Sequence, residues 1–130
     1  MRSKCPAHII IISILLSVIR SYGHCQLLSE SLTLSSALIT DLQEKLKVAT
    51  PEEQSSIYSR LYRVYSAEIE VNCHNNKGEE ALKILHTMSS LASPPLPIPR
   101  SCYMMLFSYY SLVDQAEHAA VKDKLLEMCC

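Results

Sequence analysis

The sequence has little glycine and no excess of positive charge, and each absence excludes a class of function. Its 130 residues include two glycines, so phosphate-binding loops of the GxGxxG or GxxxxGK[ST] type, which need several closely spaced glycines, are excluded. The sequence has 12 lysines and arginines against 13 aspartates and glutamates, so it lacks the excess of positive charge that attracts a phosphate backbone. We therefore expect a single small domain with no nucleic-acid partner.

Motifs for catalysis and for metal binding are also lacking. The cysteines and histidines do not have the spacing of a zinc finger or ribbon, and no signature places Cys102 beside His86 or His118 as nucleophile and base. The paired glutamates at 52–53 and 79–80 lie at predicted helix starts, where carboxylates interact favourably with the helix dipole. We therefore predict that the protein is not an enzyme and that it uses no metal ion or cofactor.

The first 23 residues have the layout of a secretory signal peptide. A basic start at 1–8 precedes an uncharged apolar run at 9–19, and small residues flank one position in Ser21-Tyr22-Gly23. The apolar run is shorter than the roughly 20 residues that span a bilayer, so we expect no stable membrane anchor. Cleavage after Gly23 would leave residues 24–130 as a secreted domain. The alternative is that this segment is a buried helix of a cytoplasmic or mitochondrial protein.

Hydrophobic periodicity divides residues 24–130 into about four helices. Apolar residues recur at heptad intervals from Leu27 to Val48. The run Thr50-Pro51-Glu52-Glu53 then offers a capping residue, a first-turn proline and a capping box for a second helix, which extends to about Val71. A shorter third stripe covers residues 81–91. After the proline-rich connector at 93–99, residues 101–130 form one long helix or two short ones.

Short connections between these helices predict an all-α, compact bundle of antiparallel helices stapled by disulfides. In up-down-up-down order, the start of the first helix and the ends of the second and fourth lie at one pole. In an oxidising compartment we expect Cys25 and Cys73 to bond with Cys129 and Cys130 in either order. Cys102 lies at the other pole and is left over, either as a free thiol or as the link of a dimer.

Three tyrosines on the second predicted helix are the candidates for a partner-binding surface. Tyr58, Tyr62 and Tyr65 share the apolar stripe of this helix, and this spacing favours a place in the core. Surplus tyrosines are also natural anchors of protein interfaces. The same three residues are therefore the candidate contacts with a protein partner.

A secreted, all-helical, disulfide-containing chain of this size resembles the short-chain four-helix cytokines and hormones. The resemblance lies in size, signal and helix count across residues 24–130. It implies that the protein acts by binding another protein, such as a cell-surface receptor, through exposed helix faces and without a cofactor.

Three helix faces, each with apolar or aromatic residues at positions i, i+3, i+4 and i+7, resemble a different family, the helix-pair repeats of the tetratricopeptide or pentatricopeptide type. The faces lie 43 and 45 residues apart and each precedes a second helix; they are Leu15/Val18/Ile19/Tyr22, Tyr58/Leu61/Tyr62/Tyr65 and Tyr103/Leu106/Phe107/Tyr110. This resemblance implies a short α-solenoid, which would be an intracellular scaffold segment that binds protein or RNA. It also makes the amino-terminal apolar run a buried first helix.

Overall fold

The computed structural model describes residues 7–25, 27–92, 97–113 and 119–129, and these form six α-helices with no strand among them. The helices are α1 (Ala7–His24), α2 (Leu28–Lys47), α3 (Pro51–His74), α4 (Gly78–Ser89), α5 (Arg100–Val113) and α6 (Ala119–Cys129). The all-α prediction is confirmed. The disulfide-stapled four-helix bundle is not confirmed, since residues 101–130 are divided between two helices and α1 precedes the helices predicted for residues 24–130.

The start of α3 forms as its sequence predicts. Thr50 Oγ1 accepts a hydrogen bond from the Glu53 backbone N–H at 3.3 Å, and the Glu53 carboxylate accepts one from the Thr50 N–H at 2.9 Å. Pro51 occupies the first turn, where a helix needs no backbone donor. This reciprocal cap separates α2 from α3 and turns the chain back on itself.

Consecutive helices contact one another along the chain, and α3 lies at the centre of these contacts. Contacts join α1 with α2, α3 with α4 and α5 with α6, and α3 also contacts α1, α2 and α5. Hydrogen bonds between α1 and α3 join residues 50 positions apart at two levels, Arg63 to Ser13 and Arg20 to Glu70. The two helices therefore run parallel, side by side.

The hydrophobic core surrounds α3 and includes side chains from every helix. The most deeply buried are Leu16 and Ile19 of α1, Leu42 of α2, Leu61, Val64, Ile69 and Val71 of α3, Leu85 and Met88 of α4, Cys102 and Leu106 of α5, and Leu125 of α6. The apolar run predicted as a removable signal thus contributes buried side chains to the same core as the rest of the chain.

Two buried serines lie where α2 approaches its neighbours. Ser31 donates a hydrogen bond to the Ile19 carbonyl of α1 at 2.8 Å, and Ser35 donates one to the Glu68 carboxylate of α3 at 2.5 Å. Both serines are fully buried and Glu68 is 8% exposed. Because each hydroxyl has a partner, these polar groups are compatible with a position between packed helices.

Glu68 makes the stability of the fold depend on pH. Burial raises the pKa of its carboxyl, and the hydrogen bond from Ser35 opposes that rise. A pKa raised on folding means that stability is fully present below the ordinary pKa of a glutamate and is lost as the pH rises through the folded value. The folded chain therefore loses stability at Glu68 as the pH rises above the ordinary pKa of a glutamate.

Replacement Glu68→Gln is expected to raise the free energy of unfolding at about pH 8 by on the order of 1 kcal/mol, because the amide is neutral and still accepts from Ser35. The difference from wild type is expected to vanish at about pH 4, where the glutamate is also neutral. Urea denaturation of both chains at both pH values measures the difference in the free energy of unfolding. A variant that loses stability relative to wild type as the pH rises would contradict the assignment.

Replacement Gly78→Ala is expected to destabilise the protein by about 1–3 kcal/mol, the usual cost of overpacking, although alanine favours a helix over glycine. A Cβ at Gly78 would overlap the Tyr109 ring of α5, which also meets Tyr110 edge-on at 5.2 Å. Chemical denaturation measures the loss. In a Tyr109→Ala background the same change is expected to stabilise by up to about 1 kcal/mol, so equal losses in both backgrounds would refute the overlap.

Candidate functional site

The three tyrosines proposed as partner contacts lie at different depths in α3. Tyr62 and Tyr65 are 6% and 7% exposed, and the Tyr62 hydroxyl donates a hydrogen bond to the Met88 carbonyl of α4 at 2.7 Å. Burial raises the pKa of Tyr65, and the neighbouring Glu68 carboxylate adds to the rise. Tyr58 is half-buried against the core. The Tyr62 hydroxyl therefore connects α3 with α4, and Tyr58 is the most accessible of the three candidate partner contacts.

The predicted disulfides are not confirmed. Cys25, Cys73 and Cys102 are free thiols, while the Cys129 side chain and Cys130 lie outside the described residues. Ser66 contacts Cys102 near the start of α5, and Cys73, farther along α3, lines one cavity with Tyr109 and Leu112, farther along α5, so α3 and α5 run parallel.

The division of residues 101–130 into two helices also changes where the chain ends. Because α6 contacts α5 and begins only six residues after α5 ends, these two helices are antiparallel. The end of α6 therefore points away from the pole of Cys25 and Cys73. The pole predicted for Cys129 and Cys130 assumed a single last helix.

Cys73 and Cys102, two of the three described thiols, are held in the protonated form. Cys102 is fully buried with its sulfur 3.2 Å from Ser66 Oγ, and burial raises the pKa of this thiol. Burial, with a smaller contribution from Cys102, raises the pKa of Cys73 to about 11. Nucleophilic chemistry needs a thiolate, so neither is placed to act as a nucleophile. A dimer linked through Cys102 would require α5 to leave α3.

A groove lies along α3 between α1 and α5, and we call it the α1/α3/α5 groove. It has two parts, of about 460 Å³ and about 730 Å³, which share Ser101 as a lining residue. The first part is bounded by α1, α3 and the segment before α5. The second part lies at the carboxyl ends of α1 and α3, where α5 forms the other wall. Ser101 therefore lies where the two parts of the groove adjoin.

The first part of the α1/α3/α5 groove is positively charged. Of the described residues that line it, none carries a carboxylate; the lining consists of Arg20 and Arg63 with Leu16, Tyr62, Pro97, Pro99, Ser55, Ser59, Ser66 and Ser101. Arg20 Nε donates to Glu70 at 3.1 Å, and Arg63 Nη2 donates to Ser13 at 3.3 Å. Among the described residues, the other guanidinium donors of both arginines have no acceptor. Such donors are suited to a carboxylate or phosphate.

The second part of the groove combines apolar side chains with a polar edge. Met104 and Leu112 of α5 are 47% and 86% exposed, and both line it together with Met105 and Tyr109. At the opposite edge, Glu70 accepts from Arg20, lies 2.9 Å from His24 Nε2, and thereby links α1 with α3. These pairs are about a third to a half exposed, so each contributes no more than about 1 kcal/mol.

The histidines and Glu70 do not form a metal site with the neighbouring cysteines. The His24 and His74 rings lie 4.3 Å apart between centroids, and Cys73 and Glu70 line the same part of the groove. Within the part of the chain that the structure describes, no three histidine, cysteine or acidic side chains are grouped so that they could hold a metal ion. The cluster is therefore interpreted as a tilted ring contact and an ion pair.

Sequence reasoning did not single out Arg20 and Arg63 as a pair. Their proximity depends on the parallel packing of α1 against α3, which no local sequence pattern predicts. One signal was present: the interval of 43 residues that relates the first two matching helix faces also relates Arg20 to Arg63. A search for chemically similar residues at the repeat interval would have found them.

No family model matches the chain, and no match emerges among curated proteins or among solved structures. In the described ranges, none of the helices combines the length and the hydropathy required to cross a bilayer. The geometry and charge of the α1/α3/α5 groove are therefore the basis for a function.

Proposed function

We propose that the protein binds another protein through an extended, acidic segment of the partner that lies in the α1/α3/α5 groove. The observation that carries this proposal is the pair Arg20 and Arg63, whose unused donors line one cavity without a carboxylate among the described lining residues. An acidic side chain of the partner would accept bidentate hydrogen bonds from such groups.

The second part of the groove supports an apolar contact next to the acidic one. Met104 and Leu112 expose apolar surface to solvent on α5, and exposed apolar side chains that line a groove are typical of protein-binding surfaces. Methionine is flexible and adapts to differently shaped partners. We therefore infer a recognition sequence in which an acidic residue is followed or preceded by a large aliphatic one.

We propose in addition that the fold is a short stack of helix pairs, as the resemblance to tetratricopeptide and pentatricopeptide repeats implies. The support is the pairwise contact of α1 with α2, α3 with α4 and α5 with α6, together with the side-by-side placement of the first helices of successive pairs. On this proposal α1 is a structural helix, and Arg20 is part of the binding surface.

The second candidate is a secreted ligand of a cell-surface receptor, which the signal-like layout of residues 1–23 favours. Cleavage after Gly23 would remove Arg20 and Ser13, and with them one side of the α1/α3/α5 groove. The two candidates therefore differ in a measurable way, because a secreted chain that begins at His24 has to bind its receptor through other helix faces.

Fluorescence polarisation with labelled peptides of about twelve residues tests the groove. Peptides that combine aspartate and glutamate with leucine are expected to bind more tightly than peptides with lysine in place of the acids. Replacement Arg63→Glu is expected to weaken the binding of acidic peptides at least tenfold, about 1.4 kcal/mol, because the new carboxylate repels them and the guanidinium donors are lost. Added salt is expected to weaken binding by screening.

The matched control is Lys124→Glu, which makes the same change of charge at an exposed position on α6, away from the groove. This variant is expected to bind the acidic peptides with an affinity within about twofold of that of the wild-type chain. Equal losses in the two variants, or equal affinity for acidic and basic peptides, would refute the proposed groove.

A further inference from the structure

A second cavity lies on the opposite side of α3, between α2 and α4. Its volume is about 420 Å³. Leu28 and Leu32 of α2 and Ile84 of α4 line it with aliphatic surface, while Glu68 and Asn72 of α3 line it with polar groups. We call it the α2/α4 cavity. It shares no lining residue with the α1/α3/α5 groove.

Two buried residues that line the α2/α4 cavity each have a side-chain acceptor atom without a donor among the described residues. Glu68 and Asn72 lie one helical turn apart and are 8% and 3% exposed. Ser35 donates to Glu68 Oε2, which leaves Oε1. The Asn72 amide nitrogen donates to the Glu68 backbone carbonyl at 2.8 Å, so the amide orientation is determined and Oδ1 is left as an acceptor. Buried acceptors without a donor are rare in folded proteins and point to a missing partner.

We propose that the α2/α4 cavity binds an alkylguanidinium group, which donates hydrogen bonds to Glu68 Oε1 and Asn72 Oδ1 and lays its aliphatic stem against Leu28, Leu32 and Ile84. A guanidinium presents several N–H donors in one plane, so it can reach two acceptors from one position. Its positive charge complements the Glu68 carboxylate. It is also more weakly hydrated than an ammonium, so its transfer into a cavity costs less.

The charges around the cavity define how binding responds to pH and to mutation. Lys83 lies 3.3 Å from Glu80 in an ion pair at the rim, and Lys77 is a further exposed cation there. Tyr65, which faces Glu68 within α3, has a raised pKa and is a neutral phenol at neutral pH. Binding is expected to tighten as the pH rises and Glu68 loses its proton. Replacement Lys77→Glu is expected to strengthen binding.

The guanidinium could belong to a free small molecule or to an arginine side chain of a partner protein. Calorimetric titration of the full chain with n-butylguanidinium chloride tests the shared chemistry, and n-butylurea is the neutral probe of equal shape. Saturable binding of n-butylguanidinium below about 10 mM is expected, with at least tenfold weaker binding of n-butylurea. A longer arginine-containing peptide that binds more tightly than N-acetylarginine amide would identify a protein partner; equal binding would identify a small molecule.

Two variants are used, so that the test does not depend on the correct folding of one of them. Glu68→Gln removes the charge and is expected to weaken the binding of n-butylguanidinium at least tenfold. Leu32→Trp fills the cavity and is expected to abolish binding while both polar groups remain. Far-UV circular dichroism checks that each variant is folded. Absence of saturable binding to the wild-type chain, or equal affinity of the wild-type and Glu68→Gln chains, would overturn the proposal and identify the cavity as a water site only.

Discussion

Removal of residues 1–23 is expected to abolish the cooperative unfolding of the remaining chain. Ile12, Leu16 and Ile19 of α1 are 6%, 2% and 0% exposed. Burial of each such side chain contributes about 1.5–3 kcal/mol, so their loss removes roughly 5–9 kcal/mol from a net stability of about 5–15 kcal/mol. The surfaces of α2 and α3 that α1 covers would also become exposed. Thermal unfolding of chains 1–130 and 24–130, followed by circular dichroism, measures the effect.

A chain that begins at Ala7 is the matched control, because it keeps all of α1. It is expected to unfold like the full chain. If the 24–130 chain instead unfolds cooperatively with nearly the stability of the full chain, α1 is dispensable and the interpretation as a removable signal is favoured. The intact mass of the protein from a secreting cell then shows whether it starts at His24.

Replacement Leu16→Ala is expected to lower the free energy of unfolding by about 2–5 kcal/mol, the range observed when a buried leucine is truncated. Leu16 is 2% exposed at the interface of α1 with its neighbours, and it also lines the first part of the α1/α3/α5 groove. The removed methyl groups leave a cavity that rigid, packed helices fill only in part. Urea denaturation of the full chain measures the change.

Ile14→Ala provides the control within the same helix. Ile14 lies two residues earlier and is 57% exposed, so its truncation is expected to change stability by no more than about 0.5 kcal/mol. The contrast between the two positions tests the orientation of α1 as well as its burial. Equal effects at Leu16 and Ile14 would show that α1 does not present this face to the core.

The helices themselves were largely predictable because their signals are local. The apolar stripes of α2 and α3 and the capping box at Thr50 and Glu53 each act through neighbouring residues of the chain. The same periodicity favoured a core position for the tyrosines of α3, and Tyr62 and Tyr65 are indeed buried. A stripe at helical spacing faces the core whatever helix it meets there.

The candidate sites were not predictable in the same way, because each depends on which helices become neighbours. Arg20 and Arg63 line one cavity only because α1 runs parallel to α3. Glu68 meets Ser35 in the interior only because α2 packs against α3. The predicted pairing of Cys25 and Cys73 with Cys129 and Cys130 assumed one last helix, whereas the described residues there form α5 and α6.

The sequence by itself determined that this protein is helical, where its central helices begin, which of their faces are apolar, and that glycine-rich phosphate loops are absent. The tertiary structure alone decided that α3 lies at the centre of the helix contacts, that residues 7–24 pack as a helix in the common core, and that two arginines 43 residues apart line one groove. The physical reason is that helix formation follows contacts within one turn, whereas the choice of helix neighbours depends on long-range side-chain packing.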